Sequence, residues 1–189
     1  GKSTLFNSIS SGKAEAANFP FCTIEPNLGV VTVPDSRLDE LSKLVNPEKT
    51  IPTTINFVDI AGLVKGASKG EGLGNKFLSN LREVDLLIHV VRCFENDNIV
   101  HVNGKIDPVS DKEVIDYELI IKDLETTDKR LDKIQKQAVV GDKEKKIECD
   151  ILLRCKSHLE NGKNLRNLEL EDNELKWIKH LNLITIKPL

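Results

Sequence analysis

The chain opens with Gly1-Lys2-Ser3-Thr4, and the segment Leu5-Phe-Asn-Ser-Ile-Ser10 follows with apolar residues at helical spacing. In the pattern G-x-x-x-x-G-K-[ST], a glycine-rich turn at a helix N-terminus offers backbone N–H groups to phosphate oxygens. The lysine of that pattern reaches the β- and γ-phosphates, and the next hydroxyl ligates Mg²⁺. A nucleotide-binding role is therefore predicted for Gly1, Lys2, Ser3 and Thr4. We assign Ser3 to the metal as well and Lys2 to catalysis.

A second element stands after an apolar, β-branched run. Val58-Asp59-Ile60-Ala61-Gly62 has the D-x-x-G spacing in which the aspartate holds Mg²⁺ through a water molecule and the glycine N–H senses the γ-phosphate. An aspartate at a strand end can also simply begin a tight turn, and short Gly-Lys-Ser strings occur in solvated loops. Because the two elements occur in the expected order, we assign Asp59 to the metal and Gly62 to the nucleotide.

Between these elements lies Asn18-Phe-Pro-Phe-Cys-Thr-Ile-Glu-Pro-Asn27, an irregular segment with two prolines. Thr23 stands where a first switch loop supplies a second hydroxyl to Mg²⁺. A lone threonine in a loop usually has no such role. Its position between the two other motifs predicts Thr23 as a metal ligand.

The apolar pattern of the flanking segments indicates an α/β fold. We predict strands at 28–33, 53–58, 85–91 and 183–186, and a helix at 38–45 that ends at Asn46-Pro47. The glycine-rich stretch 61–75 predicts a loop. The run at 85–91 is nearly continuously apolar, as in a strand buried on both faces of a parallel sheet. The predicted architecture is a Ras-like P-loop sheet with helices on both faces.

From residue 110 the character changes to that of a helical hairpin. Ser110-Asp-Lys-Glu113 has the spacing of a capping box, and apolar residues then recur at three- and four-residue steps until Gly141-Asp142. A second periodic segment ends at Asn161-Gly162, and a short helix is predicted at 174–180. We therefore predict a nucleotide-binding domain at 1–109, a coiled-coil insertion at 110–181 and a return strand at 182–189. We expect the first strand and the first half of the phosphate loop to precede Gly1.

Composition limits the remaining classes of function. The chain has 189 residues, 39% hydrophobic content and a net charge of −3, so it has no overall basic field for sequence-specific DNA. Its four cysteines form no C-x-x-C pair, which argues against a zinc site. No apolar run reaches the length of a membrane span. We interpret the chain as cytoplasmic, with no membrane partner.

The order and wording of the motifs resemble the Obg-related P-loop GTPases and specifically the YchF (Obg-like ATPase) family. The resemblance is carried by the segment 18–27 quoted above, by Asp59-Ile-Ala-Gly-Leu-Val64, by Gly66-Ala-Ser-Lys-Gly-Glu-Gly-Leu-Gly-Asn75 and by His89-Val-Val-Arg-Cys-Phe-Glu-Asn96. It extends from Gly1 to Leu189. It implies a Mg²⁺-dependent hydrolase that prefers ATP, also binds GTP and associates with the large ribosomal subunit. The family's base-reading motif would lie beyond Leu189.

The residue that positions the attacking water is not the usual one. Ras-like enzymes carry a glutamine directly after D-x-x-G, whereas this chain has Leu63, which cannot form a hydrogen bond with water. The resemblance directs attention to His101 as the catalytic replacement, although a surface-loop role for that residue is nearly as consistent with the sequence. His89 is the rival, but a histidine inside an apolar strand is more often structural.

Three alternatives stay open at this point. The helical arm could make the protein a ribosome- or RNA-binding module that nucleotide only modulates, although its basic residues alternate with acidic ones, as on a solvated helix face. The enzyme could be a GTP-specific GTPase. The 189-residue chain by itself could also be inactive. Cys149 and Cys155 are interpreted as packing residues.

Overall fold

The computed structural model describes residues 1–10, 27–60, 73–96, 98–99, 106–140 and 142–189. The chain divides into two compact units, Gly1–Gly62 with Asn96–Val102, and Leu63–Glu95 with Asn103–Leu189. The domain limits proposed from the sequence, at residues 109 and 181, stay predictions. Within the described ranges, no helix has both the length and the apolar character needed to cross a membrane.

The first unit alternates helix and strand. Its elements are α1 (Lys2–Ile9), β1 (Asn27–Thr32), α2 (Ser36–Val45) and β2 (Thr54–Asp59). β1 and β2 pair antiparallel, with Asn27 opposite Asp59 and Thr32 opposite Thr54. These elements confirm the two helices and the two strands that the sequence predicts for this region.

Capping residues set the limits of α2. The Asp35 side chain accepts a hydrogen bond from the Arg37 N–H at 3.0 Å, which satisfies a backbone donor at the start of the helix. Asn46 ends the helix in the left-handed region at φ 47°, and asparagine tolerates that conformation better than most residues. The predicted stop at Asn46-Pro47 therefore has its physical cause in the Asn46 backbone.

Gly29 allows α1 to lie against the middle of β1. A Cβ atom at this position would stand 2.6 Å from Ser10 Cβ and 2.9 Å from Phe6 Cζ, closer than real contacts allow. Phe6 and Ser10 are both buried, and the Ser10 hydroxyl donates to the Phe6 carbonyl at 2.8 Å. Because Gly29 has no side chain, α1 can lie close to the two-stranded ribbon that β1 and β2 form.

The second unit is helical. It contains α3 (Leu73–Glu83), α4 (Pro108–Val139), α5 (Lys143–Glu160) and α6 (Asp172–Ile178), with 3-10 turns at Leu165–Asn167 and Lys179–Leu181. α4 and α5 form the predicted hairpin, and Gly162 at φ 70° follows the end of α5 as expected. The core of the hairpin includes Leu131, Ile134 and Leu152.

Two local predictions in this unit were wrong. The cap of α4 is Asp107, whose side chain accepts from the Ser110 N–H at 3.1 Å, and not the capping box at Ser110. Asp107 followed by Pro108 is the stronger start signal, because proline fits the first helical position. Residues 73–75 belong to α3 rather than to a loop, since Gly74 stands in the first turn, where its lack of helix preference matters least.

The predicted strands at 85–91 and 183–186 are not formed, and the described part of the chain has only the two-stranded sheet. In the first segment Leu87 is buried, whereas Leu86, Ile88 and Val90 are exposed. The Leu87 N–H donates a hydrogen bond at 3.0 Å to the carbonyl of Pro188, which lies after the second segment. In the second segment a side chain takes the backbone donors that a strand partner would use: the Ile184 and Thr185 N–H groups donate to Asp123.

Candidate nucleotide and metal site

The candidate site forms where β2 ends and α1 begins. Asp59 is the last residue of β2 and is only 2% exposed, and Gly1 caps α1. The packing of α1 on Gly29 brings its first turn to this end of the ribbon. The phosphate-loop residues and the D-x-x-G aspartate are therefore neighbours in space, although they lie far apart in the sequence.

The Lys2 ammonium donates a hydrogen bond to Asp59 Oδ1, which makes a close ion pair across 57 positions of the chain. The Lys2 side chain is 37% exposed, whereas that of Asp59 is fully buried. A buried carboxylate needs a compensating charge, and Lys2 provides it from the first turn of α1.

The second carboxylate oxygen of Asp59 has no such contact. Asp59 Oδ2 is buried and has no hydrogen-bond partner among the described residues. Leaving a buried acceptor unpaired costs about 1 to 3 kcal/mol, so such an atom in a folded protein calls for an explanation. Mg²⁺ prefers carboxylate, hydroxyl and water oxygens, and it usually keeps several of its waters in a protein site. The free oxygen of Asp59 and the hydroxyl of Ser3, the chain neighbour of Lys2, have the ligand chemistry that such a hydrated cation needs.

The first turn of α1 supplies the other predicted groups. The earliest N–H groups of a helix have no partner within it, and they carry the positive end of the helix dipole. Ser3 is half-buried in this turn, and Thr4 is exposed and accepts from the Gly1 nitrogen at 3.3 Å. Backbone donors, a lysine and a hydroxyl thus lie at one end of α1, as phosphate binding requires.

Three of the predicted site residues lie outside the described residues. They are Thr23, Gly62 and His101, and their assignments stay predictions. The structure therefore brings together Gly1, Lys2, Ser3, Thr4 and Asp59 from the predicted set.

The rival histidine, His89, does not lie in a strand. It is half-buried, and its Nδ1 atom has no hydrogen-bond partner within the described ranges. Burial lowers the pKa of His89 below its ordinary value, with the negative charge of Asp116 acting against that shift and Lys112 adding to it. Burial therefore favours the neutral imidazole, and the apolar strand on which the structural interpretation of His89 depended is not formed.

The helical arm is the hairpin of α4 and α5, and several of its basic side chains form ion pairs within the hairpin. Arg130 donates to both carboxylate oxygens of Glu148 at 2.6 and 2.8 Å, and Lys145 donates to one of them at 3.2 Å. Lys156 pairs with Asp128 at 2.7 Å. The Lys156–Asp128 pair agrees with the interpretation of the mixed charge as a helix surface, whereas Glu148 is buried between its basic partners.

The cysteines of α5 are packing residues, as predicted. Cys149 and Cys155 are free and buried, and both belong to the hydrophobic core of the hairpin. Burial raises the pKa of the Cys155 thiol to about 11, so the reactive thiolate is scarce at neutral pH.

Two residues of the site region were missed in the sequence. Gly29 determines how closely α1 approaches the ribbon, and Asn27 stands opposite Asp59 with its buried Nδ2 atom unpaired in the described part of the chain. Opposite residues of an antiparallel pair place their side chains on the same face. Only the pairing of the two strands identifies Asn27, because this first residue of β1 stands opposite Asp59, the last residue of β2.

Residues 1–145 match the model of a protein family described as 50S ribosome-binding GTPase. The chain is 57% identical over 188 residues to the Ribosome-binding ATPase YchF of Escherichia coli O157:H7, and 54% identical over 189 residues to that of Bacillus subtilis (strain 168). Each alignment covers 100% of this chain and 52% of the relative, so the chain spans about half the length of the curated relatives it matches.

A solved structure gives the same result for the fold. The Schizosaccharomyces pombe YchF GTPase matches with a TM-score of 0.74 and 39% sequence identity, over 100% of this chain and 52% of that one. These matches confirm both the resemblance inferred from the motifs and the P-loop α/β fold class.

Proposed function

Because the chain belongs to the family of 50S ribosome-binding GTPases, we propose that it forms the catalytic part of a Mg²⁺-dependent nucleoside triphosphate hydrolase. The enzyme prefers ATP, also binds GTP and works with the large ribosomal subunit. The observation that carries this proposal is the buried carboxylate of Asp59, with the Lys2 ammonium on one oxygen and the other oxygen unpaired. A lysine and an aspartate side by side provide the positive charge that the phosphates need and the negative charge that the metal needs.

Each residue of the site has one task in this proposal. Lys2 holds the β- and γ-phosphates, and the backbone of Gly1 and Thr4 contributes N–H donors. The hydroxyl groups of Ser3 and Thr23 ligate the metal, and Asp59 holds one of its waters. When bound, Mg²⁺ neutralises charge on the phosphate oxygens. The Gly62 N–H contacts the γ-phosphate, as its place in D-x-x-G predicts.

His101 positions the water that attacks the γ-phosphate. Leu63 has no group that can hold this water, so another residue must do so. We expect His101→Ala to lower turnover about a hundredfold or more with little effect on nucleotide affinity. His89→Ala is the matched control and should leave turnover near the parent value. Equal turnover in the parent and in His101→Ala would rule out this role.

The charge pair is tested by phosphate release from ATP in the presence of Mg²⁺. Lys2→Ala and Asp59→Ala should both abolish turnover. Lys43→Ala, an exposed lysine paired with Glu40 on α2, and Asp39→Ala, an exposed aspartate on the same helix, should retain it. Unchanged hydrolysis in either site variant would contradict the proposal.

The choice of nucleotide needs its own measurement, because the relatives' names differ: the bacterial ones are called ATPases and the yeast one a GTPase. Calorimetric titration of ATP and of GTP into the protein with Mg²⁺ distinguishes the two. Tighter binding of ATP supports the proposal, and binding of GTP alone would make the enzyme a GTPase.

The ribosomal partner is proposed from the relatives, which are named ribosome-binding. That partner is also what supports a cytoplasmic location. Co-sedimentation with 50S subunits should depend on whether ATP, ADP or no nucleotide is present, since a switch protein reports its nucleotide state to its partner. Binding that is the same in all three conditions would favour a plain binding module instead.

A further inference from the structure

The Lys2–Asp59 pair joins two groups that the proposed function assigns to different parts of the ligand. Lys2 is assigned to the phosphates and Asp59 to the metal. The ammonium and the carboxylate nevertheless contact each other directly. Lys2 therefore stands where the metal would approach Asp59, and Asp59 stands where the phosphates would approach Lys2.

The Lys2 ammonium weakens the attraction between the Asp59 carboxylate and a divalent cation. Lys2 neutralises the negative charge of Asp59 and repels a second cation a few ångströms away. Asp59 is fully buried, so little water screens either effect. Oδ2 is unpaired and available, but the charge that would attract a metal is already compensated.

The Lys2 side of the pair is the one that can move. Its side chain is 37% exposed, and it projects from the first turn of α1 on a flexible four-carbon stem, whereas Asp59 is held at the end of a paired strand. A triphosphate carries more negative charge than one carboxylate and therefore attracts the ammonium more strongly. Moving Lys2 to the phosphates leaves both oxygens of Asp59 open.

We propose that Lys2 is a built-in occupant of the metal position: it excludes divalent cations from Asp59 until a nucleoside triphosphate attracts it away. This inference rests on the proposed function. It makes metal and nucleotide binding interdependent, so that each strengthens the other by the same factor. The device prevents the protein from holding a metal ion without nucleotide.

The first test measures Mn²⁺ binding by electron paramagnetic resonance in the absence of nucleotide. Lys2→Met should bind Mn²⁺ on the order of tenfold more tightly than the parent, because the competing ammonium is gone. Lys2→Arg keeps the charge and should bind as weakly as the parent. Lys43→Met is the matched control on an exposed helix face and should change nothing. Equal Mn²⁺ affinity in the parent and Lys2→Met would overturn the proposal.

The second test measures ATP binding in EDTA, without any metal. Asp59→Asn should bind metal-free ATP more tightly than the parent, since Lys2 no longer has a carboxylate partner. If Asp59 were only a metal ligand, its replacement would leave metal-free affinity unchanged, and that result would overturn the proposal. This arm needs no Lys2 variant, so it still decides the matter if Lys2→Met fails to fold.

Failure of the proposed function has a different signature. A parent protein that binds no nucleotide even with Mg²⁺ contradicts the hydrolase, whereas the Mn²⁺ measurement involves no nucleotide. Tighter Mn²⁺ binding by Lys2→Met together with no ATP binding would therefore keep the occupant role of Lys2 and remove the enzyme.

Discussion

Each of the two units of the molecule buries a carboxylate, but the hydrogen bonds to the two carboxylates differ. In the helical unit, Asp123 Oδ1 accepts from the Ile184 N–H at 2.9 Å, and Oδ2 accepts from the Thr185 N–H at 2.7 Å and the Thr185 hydroxyl at 2.8 Å. In the first unit, Asp59 has Lys2 on one oxygen and no described partner on the other. A carboxylate whose two oxygens both receive donors from the fold is expected to stabilise the structure, whereas one with an open oxygen has an acceptor free for a ligand.

The comparison predicts its largest effect at Asp123. Asp123→Ala should lower the free energy of unfolding by about 3 to 5 kcal/mol, because it leaves buried N–H groups without an acceptor. Chemical denaturation measures this loss. Asp132→Ala removes an exposed aspartate from the same helix and should have little effect. A loss at Asp123 no larger than at Asp132 would contradict a structural role.

A second buried carboxylate of the helical unit gives a pH-dependent version of the same prediction. Burial raises the pKa of Glu148, but the hydrogen bonds from Arg130 and Lys145 outweigh it, so the pKa lies below its ordinary value of 4.5. A lowered pKa in the folded state stabilises the protein above about pH 4.5, and this stabilisation is lost as the pH falls through the folded-state pKa.

Glu148→Gln should therefore lower the free energy of unfolding by about 2 to 3 kcal/mol at pH 7. Below pH 4.5 its stability should fall less steeply than that of the parent, which still has a carboxylate to protonate. Denaturation series at several pH values measure both effects. Glu160→Gln changes an exposed carboxylate of α5 and is the control. Parallel curves for the parent and Glu148→Gln would show that the carboxylate does not titrate as described.

In the first unit α1 approaches the backbone of β1 closely at Gly29. Gly29→Ala should lower the free energy of unfolding by about 1 to 2 kcal/mol, because α1 must move away from a Cβ atom 2.6 Å from Ser10 Cβ. The same displacement moves the first turn of α1, which holds the phosphate-binding groups, away from the metal position at Asp59, so affinity for the Mg²⁺-bound nucleotide should fall as well. Thr32→Ala, an exposed change on the same strand, is the control for both measurements. Full stability in Gly29→Ala would mean that the helix and ribbon are not so closely packed.

Sequence patterns predicted the first unit well because its signals are local. The run into Asp59 and the stop at Asn46 depend on neighbouring residues, and both were confirmed. The strand predicted at 183–186 was wrong for a non-local reason. Its N–H groups bond to Asp123, a residue about 60 positions earlier, and no pattern of apolar residues reveals such a partner.

The candidate site divides in the same way. Lys2 and Asp59 were assigned from motifs, but the contact between them was not, since it depends on how closely Gly29 lets α1 approach. Asn27 was not assigned because its significance comes from strand register, which pairs it with Asp59. A motif indicates which residues belong to the site, whereas packing determines which of them contact each other.

The smallest effect on stability is expected at the site itself, and a matched pair of substitutions tests the comparison directly. Asp59→Asn should change the free energy of unfolding by less than about 1 kcal/mol, because it removes a buried charge whose partner, Lys2, can turn to solvent. Asp123→Asn replaces one acceptor oxygen with an NH₂ group that faces backbone donors, so it should be clearly more destabilising. Denaturation of the two variants under identical conditions measures the difference. Equal losses would mean that Asp59 stabilises the fold as Asp123 does, and the open oxygen would then need another explanation than a ligand.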